Sequence, residues 1–295
     1  DRPERRRSLT PPPSSDVDAV TEALGTAAPV TAPRVGRQRS GLPAWVGGLV
    51  GAALLVILWE ILALTVFHSV GSGVPTPTSV VSKFFSDVHA GLYGVNFRQT
   101  LKEAATGYVV ANVLAVVLAI AFVQIPLIEK ALLRIAVASY CLPIIAIGPI
   151  LSFALHGDAP KSALAGLLVF FPSLVGCVVG LRSADRTTLD VIRASGGGSW
   201  AQLLKVRLRA ALPSSFAALQ VAAPSAILGA IVGEYLGRQD HGIGIVMINA
   251  QGSLETARIW GIALTATGIA GALYALTGLV GRLVAPWAPR QSVGR

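Results

Sequence analysis

The hydrophobic positions of this chain fall in long unbroken stretches, without the strict alternation of a half-buried strand or the narrow stripe of a soluble helix. Six stretches cover approximately residues 44–67, 104–123, 135–155, 163–181, 210–236 and 259–281, and four of them contain no charged residue. Each is close to the ~20 residues that a helix needs to cross a hydrocarbon core. Strands of a membrane barrel would instead alternate over about ten residues. The pattern predicts an all-α polytopic membrane protein with about six transmembrane helices.

The polar breaks between these stretches are informative in their turn. Residues 1–42 carry Arg5-Arg6-Arg7 and Pro11-Pro12-Pro13 without apolar periodicity, which predicts a disordered tail before a transmembrane domain at 43–287 and a short second tail at 288–295. In residues 67–100, Thr78-Ser79 is placed to cap a short helix whose Val80, Val81, Phe84, Phe85, Val88 and Leu92 share one face and lie along the membrane surface. Residues 237–258, with Gly242 and Gly244 around Ile243, are too short to span twice and predict a turn and a partly embedded helix. The most polar break is residues 190–213, DVIRASGGGSWAQLLKVRLRAALP. It reads as a helix, a break at Gly196-Gly197-Gly198, and a second short helix capped by Ser199, before Pro213 opens the next apolar run.

With 53% hydrophobic and 13% charged residues, an ordinary soluble domain is excluded. The net charge of +9 takes its meaning from position. With the N-terminus in the cytoplasm, 18 of the 24 Lys and Arg residues fall on the inner side. The positive-inside rule therefore places both termini and the 190–213 island in the cytoplasm of a cell-membrane protein. Basic tails of this kind suit lipid headgroups and call for no nucleic acid. Cys141 and Cys177 lie in apolar stretches without CxxC spacing and read as packing residues.

Catalytic signatures are missing from the sequence. There is no GxxxxGK[ST] to cradle phosphates, no GxSxG, and His68, His89, His156 and His241 are isolated, with no metal-ligand cluster. Only Glu60 and Glu234 put a charge into the apolar stretches, each near the outer end of its helix, where a carboxylate can reach water. An ion-coupled carrier would need an intramembrane relay. Candidate pathway groups are Ser139, Tyr140 and Ser152 in the stretch broken by Pro143 and Pro149, Ser173 beside Pro172, Gln220 and Ser225 around Pro224, and Glu234. Polar side chains at helix breaks suit a transient wet route for a small polar solute, although each taken singly also fits close helix packing.

The island resembles the EAA loop of binding-protein-dependent ABC importer permeases, in the branch for nitrate, sulfonate, taurine and related compounds. That loop reads EAA, three residues, Gly, nine residues, I-x-L-P. With Gly196 at the glycine, Asp190-Val191-Ile192 occupies EAA, Val206 and Leu208 stand at I and L, Arg209 stands at the first proline, and Pro213 follows four residues later. The likeness runs from about Trp45 to Trp287 and includes Val74-Pro75-Thr76-Pro77, Leu181-Arg182, Gly233-Glu234-Tyr235-Leu236 and Gly242-Ile243-Gly244.

The resemblance implies a type I ABC importer permease fold with a cytoplasmic coupling loop at about 186–209. Its assembly would hold two permease subunits, this chain twice or with a homologous chain. Two ATPase subunits would hold ATP and magnesium, and an extracytoplasmic solute-binding protein would deliver substrate; the chain itself would carry no cofactor and catalyse nothing. Asp190, Arg193, Gly196, Gly197, Trp200, Leu203, Leu204, Lys205 and Arg207 would form the ATPase-docking surface, with the apolar members as anchors and the basic ones facing acidic rim groups. The cargo would be a small polar or anionic organic solute, sulfonate-, taurine- or nitrate-like or a pyrimidine-type compound. On the residues alone, a secondary transporter and a membrane scaffold docking a soluble partner remain as alternatives.

Overall fold

The computed structural model describes residues 44–67, 73–125, 143–237 and 241–287. Its contacts divide the chain into two units, Asp1–Leu54 and Leu55–Arg295. Every element among the described residues is helical: α1 (Ala44–Leu62, closed by a wide π-type turn Ala63–Phe67), α2 (Pro77–His89), α3 (Leu92–Gln124), α4 (Ile144–Ala154), α5 (Ala159–Arg182), α6 (Arg186–Ala194), α7 (Ser199–Leu236), α8 (Ile243–Gly252) and α9 (Thr256–Val284). Five of these, α1, α3, α5, α7 and α9, are long and apolar enough to cross a membrane. The third apolar stretch appears as α4; its first part, with Ser139 and Tyr140, lies outside the described residues, as do both tails.

The bundle centres on α5, which packs along both α3 and α7, while α9 packs on α7. Lipid tails are as apolar as leucine, so helices in a membrane associate by close packing rather than by apolar burial. The sequence supplies this through small residues. Gly229 and Gly233 of α7 lie one turn apart against α5, where an added Cβ would come 2.6 Å from Ala165 Cα or 2.8 Å from Lys161 Cα. Gly107 of α3 abuts the Ser162 carbonyl from the other side of α5. Ala104, Ala111, Ala165, Ala222, Ala226 and Ala230 continue these seams through the buried core. Large side chains such as Leu55, Val117 and Leu264 remain on the outside, as a lipid-facing surface requires.

Several expectations change. The segment after the glycine break is not a separate short helix, because α7 runs on from Ser199 through a π-type turn at Leu203–Arg207. Pro213 and Pro224 then lie inside it, where a missing N–H is tolerated among packed helices. Ser199 is the first helical residue and Gly198 holds the cap position. α2 is capped by Thr76, whose Oγ1 accepts from Ser79 N–H at 3.2 Å, rather than by Thr78-Ser79. Gly91, at φ +73°, ends that element, so Leu92 opens the long α3 instead of extending the α2 face. Val80 of α2 is buried whereas Val81, Phe85 and Val88 are exposed, so those apolar positions do not share one environment.

Candidate functional site

The break at 183–207 folds into a hairpin that closes one end of the bundle. Asp185 caps α6: Oδ2 accepts from both Thr188 N–H and Thr188 Oγ1 at 3.0 Å, and the first of these bonds holds the Asp185 carboxyl below its ordinary range. The helix stops in a Schellman turn. Gly196 adopts φ +78°, its N–H reaches Arg193 O at 2.9 Å, and Gly197 N–H reaches Ile192 O at 2.8 Å. A side chain at 196 would be strained by this left-handed backbone, and a Cβ at 197 would sit 2.6 Å from Ile192 Cγ2.

Residues expected to dock a partner separate into two groups. Leu203 is 1% exposed and belongs to the core cluster with Phe122, Leu174 and Cys177, so it fastens the hairpin to the bundle instead of facing outward. Leu189 and Gln202 are buried with it. Trp200 and Leu204 are 63% and 61% exposed, and Val191 on α6 is exposed as well, so both arms of the hairpin present apolar side chains. Its polar groups are Lys205 and an exposed Asp190–Arg193 pair at 3.2 Å. Arg207 is half-buried near the Leu181 carbonyl.

At the opposite end the structure assembles a polar cluster that the sequence reading did not anticipate. Glu103 of α3 and Lys161 of α5, 1% and 2% exposed, form an ion pair at 2.9 Å. Gln99 Nε2 also donates to the same Glu103 oxygen at 2.7 Å, while Glu103 Oε2 has no hydrogen-bond partner among the described residues. Glu234 does not reach water; it is fully buried. Its carboxylate accepts from Thr100 Oγ1 at 2.5 Å and from Gly244 N–H at 2.7 Å. Thr100 Oγ1 accepts from Ile243 N–H at 3.1 Å, and Asn96 Oδ1 from Gly242 N–H at 2.9 Å. Three successive amides at the start of α8 are thus capped by side chains from two other helices, with a carboxylate at the positive end of the helix dipole.

This geometry explains the glycines around Ile243. Gly242 has φ +140°, and a Cβ there would overlap the Glu234 carboxylate; a Cβ at Gly244 would meet Ile231 O at 2.6 Å. The missed residues did carry a signal. Asn96, Thr100 and Glu103 continue, at helical spacing, the small-residue stripe Gly107, Ala111 and Ala115, all on the buried face of α3. At the same end Arg258 of α9 makes a two-pronged pair with Asp87 of α2 at 2.9 and 3.0 Å, and Lys83 meets Glu255 at 3.1 Å. Glu60 accepts from Thr78 Oγ1 at 2.9 Å and ties the end of α1 to the start of α2.

The other pathway candidates are not drawn into one cluster. Ser152 Oγ bonds back to Gly148 O at 3.0 Å within α4. Ser173 is fully buried with its Oγ unpaired among the described residues. Gln220 is half-buried over Gly278 of α9, and Ser225 is half-buried on α7. Among the described residues no group of three or more His, Cys, Asp or Glu is placed to hold a metal.

Residues 111–288 match the family described as the binding-protein-dependent transport system inner membrane component. The riboflavin transport system permease protein of Chloroflexus aurantiacus is 32% identical over 88% of this chain and 97% of its own length. A probable ABC transporter permease protein of Haemophilus influenzae is 30% identical over 75% of this chain and 89% of its own. The formylaminopyrimidine transport permease protein of Halalkalibacterium halodurans is 29% identical over 63% of this chain and 74% of its own.

Proposed function

We propose a role that starts from one premise: this chain belongs to the binding-protein-dependent transport system inner membrane components, and is a non-catalytic, multi-pass permease subunit of an ABC transporter. In our reading it carries a small polar or anionic organic solute inward, from a binding protein on the outside to the cytoplasm. ATPase and binding-protein subunits accompany permeases of this family; here we propose two ATPases and a second permease chain, identical or homologous. The bias of Lys and Arg toward the hairpin side supports a cytoplasmic hairpin and cytoplasmic termini, with α8 at the outer mouth.

One observation carries the coupling role. The hairpin sinks Leu203 into the core of the bundle yet leaves Trp200 and Leu204 in the open. A tryptophan held out on a capped, glycine-terminated hairpin is suited to fill a pocket on a partner, with Lys205 and Arg193 at the polar rim. Because α7 is continuous from Ser199 to Leu236, a push on the hairpin has one helix along which to travel to Glu234 and the Gly244 amide of α8. Ser152, Ser173, Gln220 and Ser225 are the proposed polar groups of the route between. The test is Trp200→Ala in the purified complex. Loss of ATPase subunits on copurification, with the permease still in the membrane, is expected; full retention of ATPase and of solute-stimulated hydrolysis would sink the docking role.

A further inference from the structure

A cavity of about 620 Å³, open to the surface, lies beside the α8 end of the bundle and is lined by Gly94, Val95, Arg98, Gln99, Lys102 and His241. Its volume is in the range that small organic ligands occupy. Arg98 and Lys102 stand one turn apart on α3, so their charges emerge side by side, and nothing lies within 4 Å of where a Cβ of Gly94 would be. The segment leading into α8 contributes His241.

The charge around this cavity is unevenly compensated. Glu103 is met by Lys161 and Glu234 by Thr100 and the Gly244 amide, so both carboxylates are engaged in the buried cluster. Asp158 reaches Lys102 only at 3.5 Å, across an exposed contact, and also approaches Lys161 at 3.9 Å. A hydrogen bond from Gln99, more than either lysine, holds the Asp158 carboxyl below its ordinary range. Arg98 makes no ion pair among the described residues.

We propose that this cavity is a binding site for the oxyanion of a small organic solute, a sulfonate or carboxylate held by Arg98, Lys102 and His241. Arg98 offers a two-pronged donor fork, Lys102 a point charge, and His241 a further ring nitrogen from outside α3. The inference rests on the importer reading for its direction, since the cavity receives solute only if the α8 end faces outward. The oxyanion chemistry itself does not depend on that reading.

The test uses the purified full chain in nanodiscs of phosphatidylcholine, titrated with ethanesulfonate and with ethyl methyl sulfone as its uncharged counterpart. Ethanesulfonate should bind and the sulfone should not. Arg98→Gln and Lys102→Gln should each weaken binding about tenfold or more. Both side chains are exposed, so the thermal midpoint of each variant should stay at the parent value. Equal affinity in parent and variants, or equal binding of the sulfone, would overturn the site. So would occupation only by phosphatidylglycerol in mixed discs, which would assign the cations to a lipid headgroup. A separate arm labels Arg98→Cys in intact cells with a membrane-impermeant maleimide. Labelling from outside supports the receiving role; labelling only after permeabilisation would overturn the importer orientation while the titration still decides the oxyanion site.

Discussion

At the α8 end of the bundle, helices are fastened by buried or half-buried charge: Glu103 with Lys161, Asp87 with Arg258, and Glu234 with the Gly244 amide and the Thr100 hydroxyl. At the hairpin end, α6 is shaped by local devices, the Asp185 cap and the Gly196 turn, and lies against the first turn of α7, which Leu203 anchors in the apolar core. The first end draws its polar groups inward and satisfies most of them among helices distant in sequence. The second leaves Trp200, Leu204, Val191 and Lys205 exposed on its surface. A buried ionic network resists displacement because any separation strands a charge in a low dielectric, whereas a locally folded hairpin can move as a body without disturbing its own hydrogen bonds. The contrast suits one end for holding a mouth in register and the other for meeting a moving partner.

The contrast predicts unequal responses to substitution. Glu103→Ala takes the nearest carboxylate away from the buried Lys161 ammonium and should cost up to about 3–5 kcal/mol, read as a large fall in the thermal midpoint of the purified chain. Glu103→Gln with Lys161→Met should recover much of it; a midpoint unchanged by Glu103→Ala would show that the ion pair does not hold this end together. Trp200→Ala should leave that midpoint nearly unchanged and instead weaken ATPase binding by about 2 kcal/mol or more. If the midpoint fell as far as for Glu103→Ala, Trp200 would be a core residue and not an anchor. Thr100→Ala removes one donor to Glu234 and one acceptor for α8, and should cost about 1–3 kcal/mol, with faster hydrogen exchange confined to residues 242–246. Uniform exchange along the chain would count against a capping role.

The smallest effect belongs to Asp185. Asp185→Ala should loosen α6 slightly, through loss of its N-cap, without touching the α8 end. Its lowered folded-state pKa fixes the sign: the cap stabilises the hairpin above the carboxyl's unfolded value and is lost as pH falls through the folded value. Protection of the amides at 187–189, taken relative to their intrinsic exchange rates at each pH, should therefore fall on acidification in the parent and be insensitive to pH-linked cap loss in the variant. Identical acid responses in the two proteins would contradict that linkage.

Much of this protein is legible in one dimension. Runs of about 20 apolar residues oblige the backbone to satisfy itself as helix, so class and approximate spans follow from hydrophobicity alone. The hairpin is equally local: Asp185, the glycines at 196–198 and the apolar spacing around Trp200 act on their immediate neighbours. Local rules could not show that α7 runs unbroken through Pro213, because neighbouring helices compensate what proline removes. Nor could they separate Leu203 from Leu204, adjacent leucines of which one is core and the other surface. Glu234 is the sharpest case. Read along the chain it is a carboxylate near a helix end with access to water; in three dimensions it is buried, bound to Thr100 and to the start of α8. Residues 134 and 10 positions away supply those partners, and only the packing of α3, α7 and α8 brings them within 3 Å.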